Sequence, residues 1–210
     1  MCAGSKVEPP IFVFAPGAGA PSSHSWMRHW ATLLQTLGNV WTFDYPYMLE
    51  GRKRPDPLPK LITSHREALL RAREAHRGPA VLIGKSMGAR IGCHVSLQEE
   101  VSAVICLGYP LCGGGNANNL RDGVLLEMAT PVLFIQGTRD PLCPLEILER
   151  VRTQMRAKNK IHVVRGGDHS LRVAKSQLNE GGETQEEIDL QVLKEIQNFT
   201  GDTIARKSPS

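Results

Sequence analysis

Gly84-Lys85-Ser86-Met87-Gly88 sets a serine between two glycines in a G-x-S-x-G pattern. The apolar run Ala-Val-Leu-Ile precedes it and a helix-like segment, ARIGCHVSL, follows. That strand–turn–helix setting presents a serine hydroxyl as a nucleophile. Side chains flanking such a tight turn collide with the neighbouring strand and helix, and glycines relieve the crowding. Five residues can match by chance, and a serine that merely starts a helix is the plain alternative; the buried strand before it separates the two. A free hydroxyl is a weak nucleophile and needs a base. Of the seven histidines, His169 is best placed, in RGGDHS just past the last strand-like run, where a glycine-rich loop lets an imidazole reach across. His24 and His29 near a helix start, His65 and His76 on or beside a helix, His94 after the serine turn and His162 within a strand read as packing or surface residues.

The base needs a carboxylate to orient it and stabilise the imidazolium. Asp140 closes QGTRD directly after the run PVLFI. Asp168 adjoins His169 in sequence, a poor position from which to aim at it, and reads as a loop-shaping or capping residue. Asp44 follows a strand but precedes the serine, and is the weaker candidate. Ser86, Asp140 and His169 thus appear in the chain order Ser, Asp, His. Acyl transfer also needs preorganised donors for an oxyanion. The N–H of Met87 is one; the other comes from APGAGAP, residues 15–21, with Ala18 favoured over Gly17. The same loop read as a phosphate cradle lacks both a Walker lysine and a full G-x-G-x-x-G. Gly17, Tyr109, Leu111, Leu142 and Leu171 follow strand ends and are the candidate walls of a largely apolar substrate pocket. Lys85 either favours anionic substrates or faces solvent. No metal or organic cofactor is required.

Six apolar runs read as strands: Ile11–Ala15, Val40–Tyr45, Ala80–Gly84, Val101–Gly108, Pro131–Gln136 and Lys160–Arg165. Continuous stretches such as VLI, VICL and VLFI suit strands covered on both faces, as in a parallel sheet. Helical spacing lies between them. Trp26, Trp30, Leu33 and Leu37 form one stripe, with serines at 22–25 to cap it and Gly38 to end it. Leu58, Leu61, Ile62, His65, Leu69 and Ala72 form another, Pro144 opens a third, and Thr184 with Glu187 makes a capping box before a fourth. The alternation predicts an α/β fold, a mostly parallel sheet of about six strands with helices on both faces, in which ligands sit at the carboxyl ends of the strands. Each candidate catalytic residue follows a strand. Residues 46–57 and 111–130 read as loops, the second as a small lid or a plain surface loop. A single domain over residues 9–202 with flexible tails, 1–8 and 203–210, completes the reading.

Composition narrows the function class. The 210 residues carry a formal net charge of +4, and 41% are hydrophobic. Basic residues are scattered, with Arg52, Lys53 and Arg54 the densest group and best read as a solvated loop, so no nucleic-acid stripe is expected. No apolar run approaches a membrane span, and MCAGSKVEPP lacks the basic start and apolar core of a secretory leader. Five cysteines without a C-x-x-C pair read as buried thiols, pointing to the cytoplasm, with the nucleus as the alternative.

The segments GKSMGAR, CLGYPL, PVLFIQGTRDPLC and KIHVVRGGDHSL, taken together, resemble the dienelactone-hydrolase-like branch of the α/β-hydrolase superfamily, the group that includes testis-expressed protein 30 and the hydrolase-like domain of non-specific-lethal complex subunit 3. The resemblance spans roughly residues 11–200. It implies a Ser-His-Asp triad at Ser86, His169 and Asp140, in a minimal version of the fold with no large cap domain. Two departures stand out: dienelactone hydrolases proper carry a cysteine nucleophile, and Pro16-Gly17 replaces the His-Gly of many members. The expected function is hydrolysis of a small ester or thioester through an acyl-enzyme, on a small-molecule acyl substrate. The alternative is a catalytically silent interaction module of the same fold, with a protein partner and a place in chromatin.

Overall fold

The apolar runs form six strands in a computed structural model that describes residues 8–205. They are β1 (Ile11–Ala15), β2 (Asn39–Thr42), β3 (Ala80–Lys85), β4 (Ala103–Leu107), β5 (Val132–Gly137) and β6 (Asn159–Val164). All pair in parallel, in the order β2-β1-β3-β4-β5-β6. Both faces are covered, which is why the central strands read as unbroken apolar runs rather than alternating ones. Ile11 and Val13 enter the core on one face; Phe12 and Phe14 enter the core on the other. Each fully buried side chain of this size contributes about 1.5–3 kcal/mol.

Helices α3 (Leu58–Ala75), α4 (Met87–Val95), α5 (Gly123–Glu127) and α6 (Leu145–Arg152) cover the first face. Helices α1 (Ser25–Gln35) and α8 (Gln185–Ala205) cover the second, bringing Trp26, Met27, Trp30 and Leu34 against Val192, Ile196 and Phe199. The capping box forms as read: Thr184 N donates to Glu187 Oε2 at 2.7 Å and Glu187 N to Thr184 Oγ1 at 3.2 Å. The cap of α1 is His24 rather than a serine, its Nδ1 accepting from Trp26 N at 3.2 Å.

Several boundaries differ from the sequence pattern. Helix α8 continues to Ala205 with Thr203 buried, so the expected boundary at 202 moves outward; the rest of both expected tails, 1–7 and 206–210, lies outside the described residues. A single helical turn, α2 (Pro46–Leu49), buries Tyr47 inside the stretch expected as a loop. Helix α7 (Lys175–Gly181) was not anticipated, and it buries none of its residues, so it leaves no apolar period to read. Segment 111–130 folds onto the first core through Val124, Leu125 and Met128. Cys93, Cys106, Cys112 and Cys143 are free and buried, and burial pushes the Cys106 and Cys143 thiols up; Cys2 lies outside the described residues. Among the described residues, no helix is long and apolar enough to cross a membrane.

Candidate active site

β1 has its sequence successor on one side and β3 on the other, so the loops leaving their carboxyl ends diverge and open a crevice, the usual ligand position in such sheets. Ser86 stands at that crevice, between β3 and α4, with φ 50° and ψ −112°. A non-glycine residue holds such a backbone only where its surroundings enforce it. Here a Cβ on Gly84 would lie 2.3 Å from Ala89 N, and one on Gly88 2.6 Å from the carbonyl oxygens of Ala15 and Pro16. Both glycines are therefore required by backbone packed against backbone.

Three strand ends bring the predicted polar residues together. His169, after β6, places Nε2 2.8 Å from Ser86 Oγ and Nδ1 2.7 Å from Asp140 Oδ2. With its proton on Nδ1, the imidazole donates to Asp140 and accepts the serine hydroxyl. Asp140, after β5, is 4% exposed. Its Oδ1 accepts from Leu142 N at 2.9 Å and its Oδ2 from Gln136 Nε2 at 2.5 Å. Burial pushes this carboxyl up, but the bonds from His169, the Leu142 N–H and the Gln136 amide outweigh it and hold it below the usual carboxylate range.

The competing carboxylates do other work. Asp168 Oδ1 accepts from Ser170 N at 2.7 Å and Arg172 N at 3.0 Å, the loop-shaping role read from sequence. This turn carries Leu171 at φ 63°; it and Ser86 are the two non-glycine residues of positive φ among the described residues. Asp44 accepts from Ser22 N at 2.6 Å and braces the loop before α1. His29 pairs with Asp189 at 2.7 Å, and His65 is fully buried beside Tyr45, its pKa pushed down to about 3 by burial.

A cavity of about 450 Å³ opens beside Ser86, walled by Gly17, Ala18, Ala20, Trp26, Met27 and Leu142, with His24, Lys85, His169 and Arg172 as its basic groups and Asp168 as an acidic one. Gly17 lies against Ser86: a Cβ there would be 3.6 Å from Ser86 Cβ. The Ala18 carbonyl accepts from Tyr47 Oη at 2.9 Å, which fixes this loop. Met87 opens α4, where backbone N–H groups have no partner within the helix. Of the expected pocket walls, Gly17 and Leu142 line the cavity; Tyr109 and Leu111 are buried in the first core and Leu171 in the second. Following a strand end fixes a residue's height in the fold but not its direction, and Tyr109 turns inward to donate to Arg121 O at 2.8 Å. No part of 111–130 lines the cavity.

Sequence reasoning missed Gln136, which also accepts from Tyr109 N at 3.2 Å. A polar residue ending the run VLFI was the available signal. It also missed Gly108, at φ +69°, where a Cβ would lie 2.7 Å from His169 O.

Solved structures of similar fold include an alpha-beta serine hydrolase homologue from Coxiella burnetii, 21% identical over 79% of each chain with a TM-score of 0.63. A dienelactone hydrolase from Anabaena variabilis is 17% identical, over 91% of this chain and 85% of that one, at a TM-score of 0.65. A serine hydrolase without a lid from Xanthomonas campestris is 14% identical, over 99% and 87%, also at 0.65. Likeness at such identities concerns the fold. A family model described as an alpha/beta hydrolase domain matches residues 8–201, and the chain belongs to that family.

Proposed function

We propose that this protein is a serine hydrolase that cleaves a small ester or thioester through an acyl-enzyme. The observation that carries the reading is the unbroken hydrogen-bonded chain from Ser86 Oγ through the His169 imidazole to Asp140, 2.8 and 2.7 Å long at its two links. Ser86 Oγ attacks the acyl carbon while His169 Nε2 takes its proton; Asp140 stabilises the imidazolium. The Met87 and Ala18 N–H groups stabilise the oxyanion. As the tetrahedral intermediate collapses, the C–O or C–S bond breaks and the leaving alkoxide or thiolate takes the proton from His169. Water then attacks the acyl-enzyme, giving its proton to His169, and Ser86 recovers a proton as the acid departs.

Apolar walls at Trp26, Met27 and Leu142, in a cavity of about 450 Å³, support a small acyl group. A fluorophosphonate probe tests the reading. Labelling of the wild type that vanishes in Ser86→Ala, with hydrolysis of p-nitrophenyl esters or acyl-thioesters falling about 10⁴- to 10⁶-fold, is the expected result. A folded wild type that neither labels nor turns over any member of a chain-length panel overturns it and leaves the silent interaction module.

A further inference from the structure

His169 sits on the loop between β6 and α7, and two successive carbonyls of that loop are captured from elsewhere in the chain. Lys85 Nζ donates to the His169 carbonyl. Trp26 Nε1 donates to the Ser170 carbonyl at 2.9 Å. The two donors also meet each other, the Lys85 ammonium lying 5.1 Å from the centre of the Trp26 ring, within cation–π range. From the other side Gly108 leaves space for the same His169 carbonyl, which a Cβ at that position would approach to 2.7 Å. The loop that carries the base is thus gripped at the two peptide groups on either side of Ser170 Cα.

Lys85 occupies this place at a disadvantage. It lines the cavity immediately before the nucleophile. Burial pushes its pKa down to about 8 despite the pull of Asp140 and Asp168. Among the described residues no carboxylate comes within ion-pairing distance of its ammonium. Packing alone would favour an apolar side chain of the same length, because a partly buried ammonium loses much of its hydration without a counter-charge. The bond that the charge makes instead is to the backbone of the residue carrying the imidazole.

We propose that Lys85 and Trp26 form a clamp that positions the His169 imidazole against Ser86, with Lys85 a positioning residue and not an anchor for substrate charge. The proposal rests on the reading of Ser86 and His169 as nucleophile and base.

The test uses Lys85→Met, Lys85→Arg and Trp26→Phe in the full chain. Lys85→Met lowers kcat about 10- to 100-fold, with KM within about twofold. The loss is the same for a neutral p-nitrophenyl ester and for one whose acyl chain ends in a carboxylate. Its thermal midpoint stays level or rises by a few degrees, about 2–4 °C for each kcal/mol of relief. Lys85→Arg recovers most of the rate, and Trp26→Phe, which keeps an aromatic face and drops the N–H, loses several-fold. Proton NMR gives a readout free of turnover: the low-field resonance of the proton on His169 Nδ1 broadens or shifts in Lys85→Met and persists in Lys85→Arg. A KM rise confined to the carboxylate ester would make Lys85 a substrate anchor and overturn the clamp. So would wild-type kcat together with an unmoved resonance. If the wild type hydrolyses nothing, the proposed function fails, and the resonance still decides whether the clamp holds the imidazole.

Discussion

The two loops that meet at Ser86 and His169 are held by opposite means. The serine turn is held by backbone packed against backbone. Its constraints lie at Gly84 and Gly88, whose missing side chains admit Ala89 N and, from the end of β1, the Ala15 and Pro16 carbonyls, so its strained φ of 50° is enforced by close-packed backbone. The histidine loop instead borrows its supports. Lys85, Trp26 and Gln185 bind its carbonyls at His169, Ser170 and Leu171, while Gly108 and Gly137 leave room beneath it. The proposed nucleophile, fixed by close-packed backbone, tolerates no change in its turn. The proposed base, held by remote side chains, can be loosened piece by piece while the sheet survives.

Adding one methyl on each side of the site is the strongest way to break that contrast. In Gly88→Ala the new Cβ meets the Ala15 and Pro16 carbonyl oxygens at 2.6 Å, with backbone on every side and nothing soft to yield. About 3–5 kcal/mol of stability is expected to vanish, read as a lowered urea midpoint or as loss of soluble protein. In Gly108→Ala the Cβ meets the His169 carbonyl at 2.7 Å and φ is +69°, but the obstructed group belongs to a loop that can shift. There the expected cost is about 1–3 kcal/mol of stability, with esterase activity down about 100-fold. Gly108→Ala at wild-type rate, or Gly88→Ala fully stable, would erase the distinction.

Distance along the chain decides what is legible in the sequence. Local constraints are: the serine between glycines after a buried run, the Thr184–Glu187 box, and the strands that pack on both faces all follow from neighbours within a few residues. Remote supports are not. Trp26 reads as one member of a core stripe, and it is 7% exposed, yet its indole N–H reaches a loop 144 residues away. The sequence leaves Lys85 open between substrate contact and solvent because no periodicity places a lysine's partner. Tyr109, Leu111 and Leu171 lie at the strand ends expected of them but point into the cores, and a strand end alone does not set that direction.

Within the histidine loop, Asp168 provides a smaller test. Its carboxylate accepts from Ser170 N and Arg172 N and so shapes the turn without touching the imidazole. Asp168→Ala is expected to lower kcat about tenfold, whereas Asp168→Asn, which keeps an acceptor at the same reach, restores most of it. An alanine variant as slow as His169→Ala would mean that the carboxylate acts on the reaction itself, not on the turn.

The last test sharpens the comparison through a stability difference between the wild type and Lys85→Met across alkaline pH. The unfolded chain releases the Lys85 proton near 10.5 and the folded chain near 8. Between those values the unfolded state holds more protons, so the wild type gains stability relative to the variant as pH rises. Below about pH 8 both states are charged, and the folded one bears the whole desolvation cost. The full relief is about 3 kcal/mol, and subtracting the variant removes the tyrosines and thiols that titrate in the same range. Urea midpoints at pH 7, 8.5 and 10 measure it. A constant difference would mean that the ammonium at residue 85 is as well solvated in the fold as outside it, and the histidine loop would then be held at no cost to the sheet. A difference that closes with pH would mean that the chain keeps a charge its packing disfavours, which is how a group retained for positioning differs from one retained for stability.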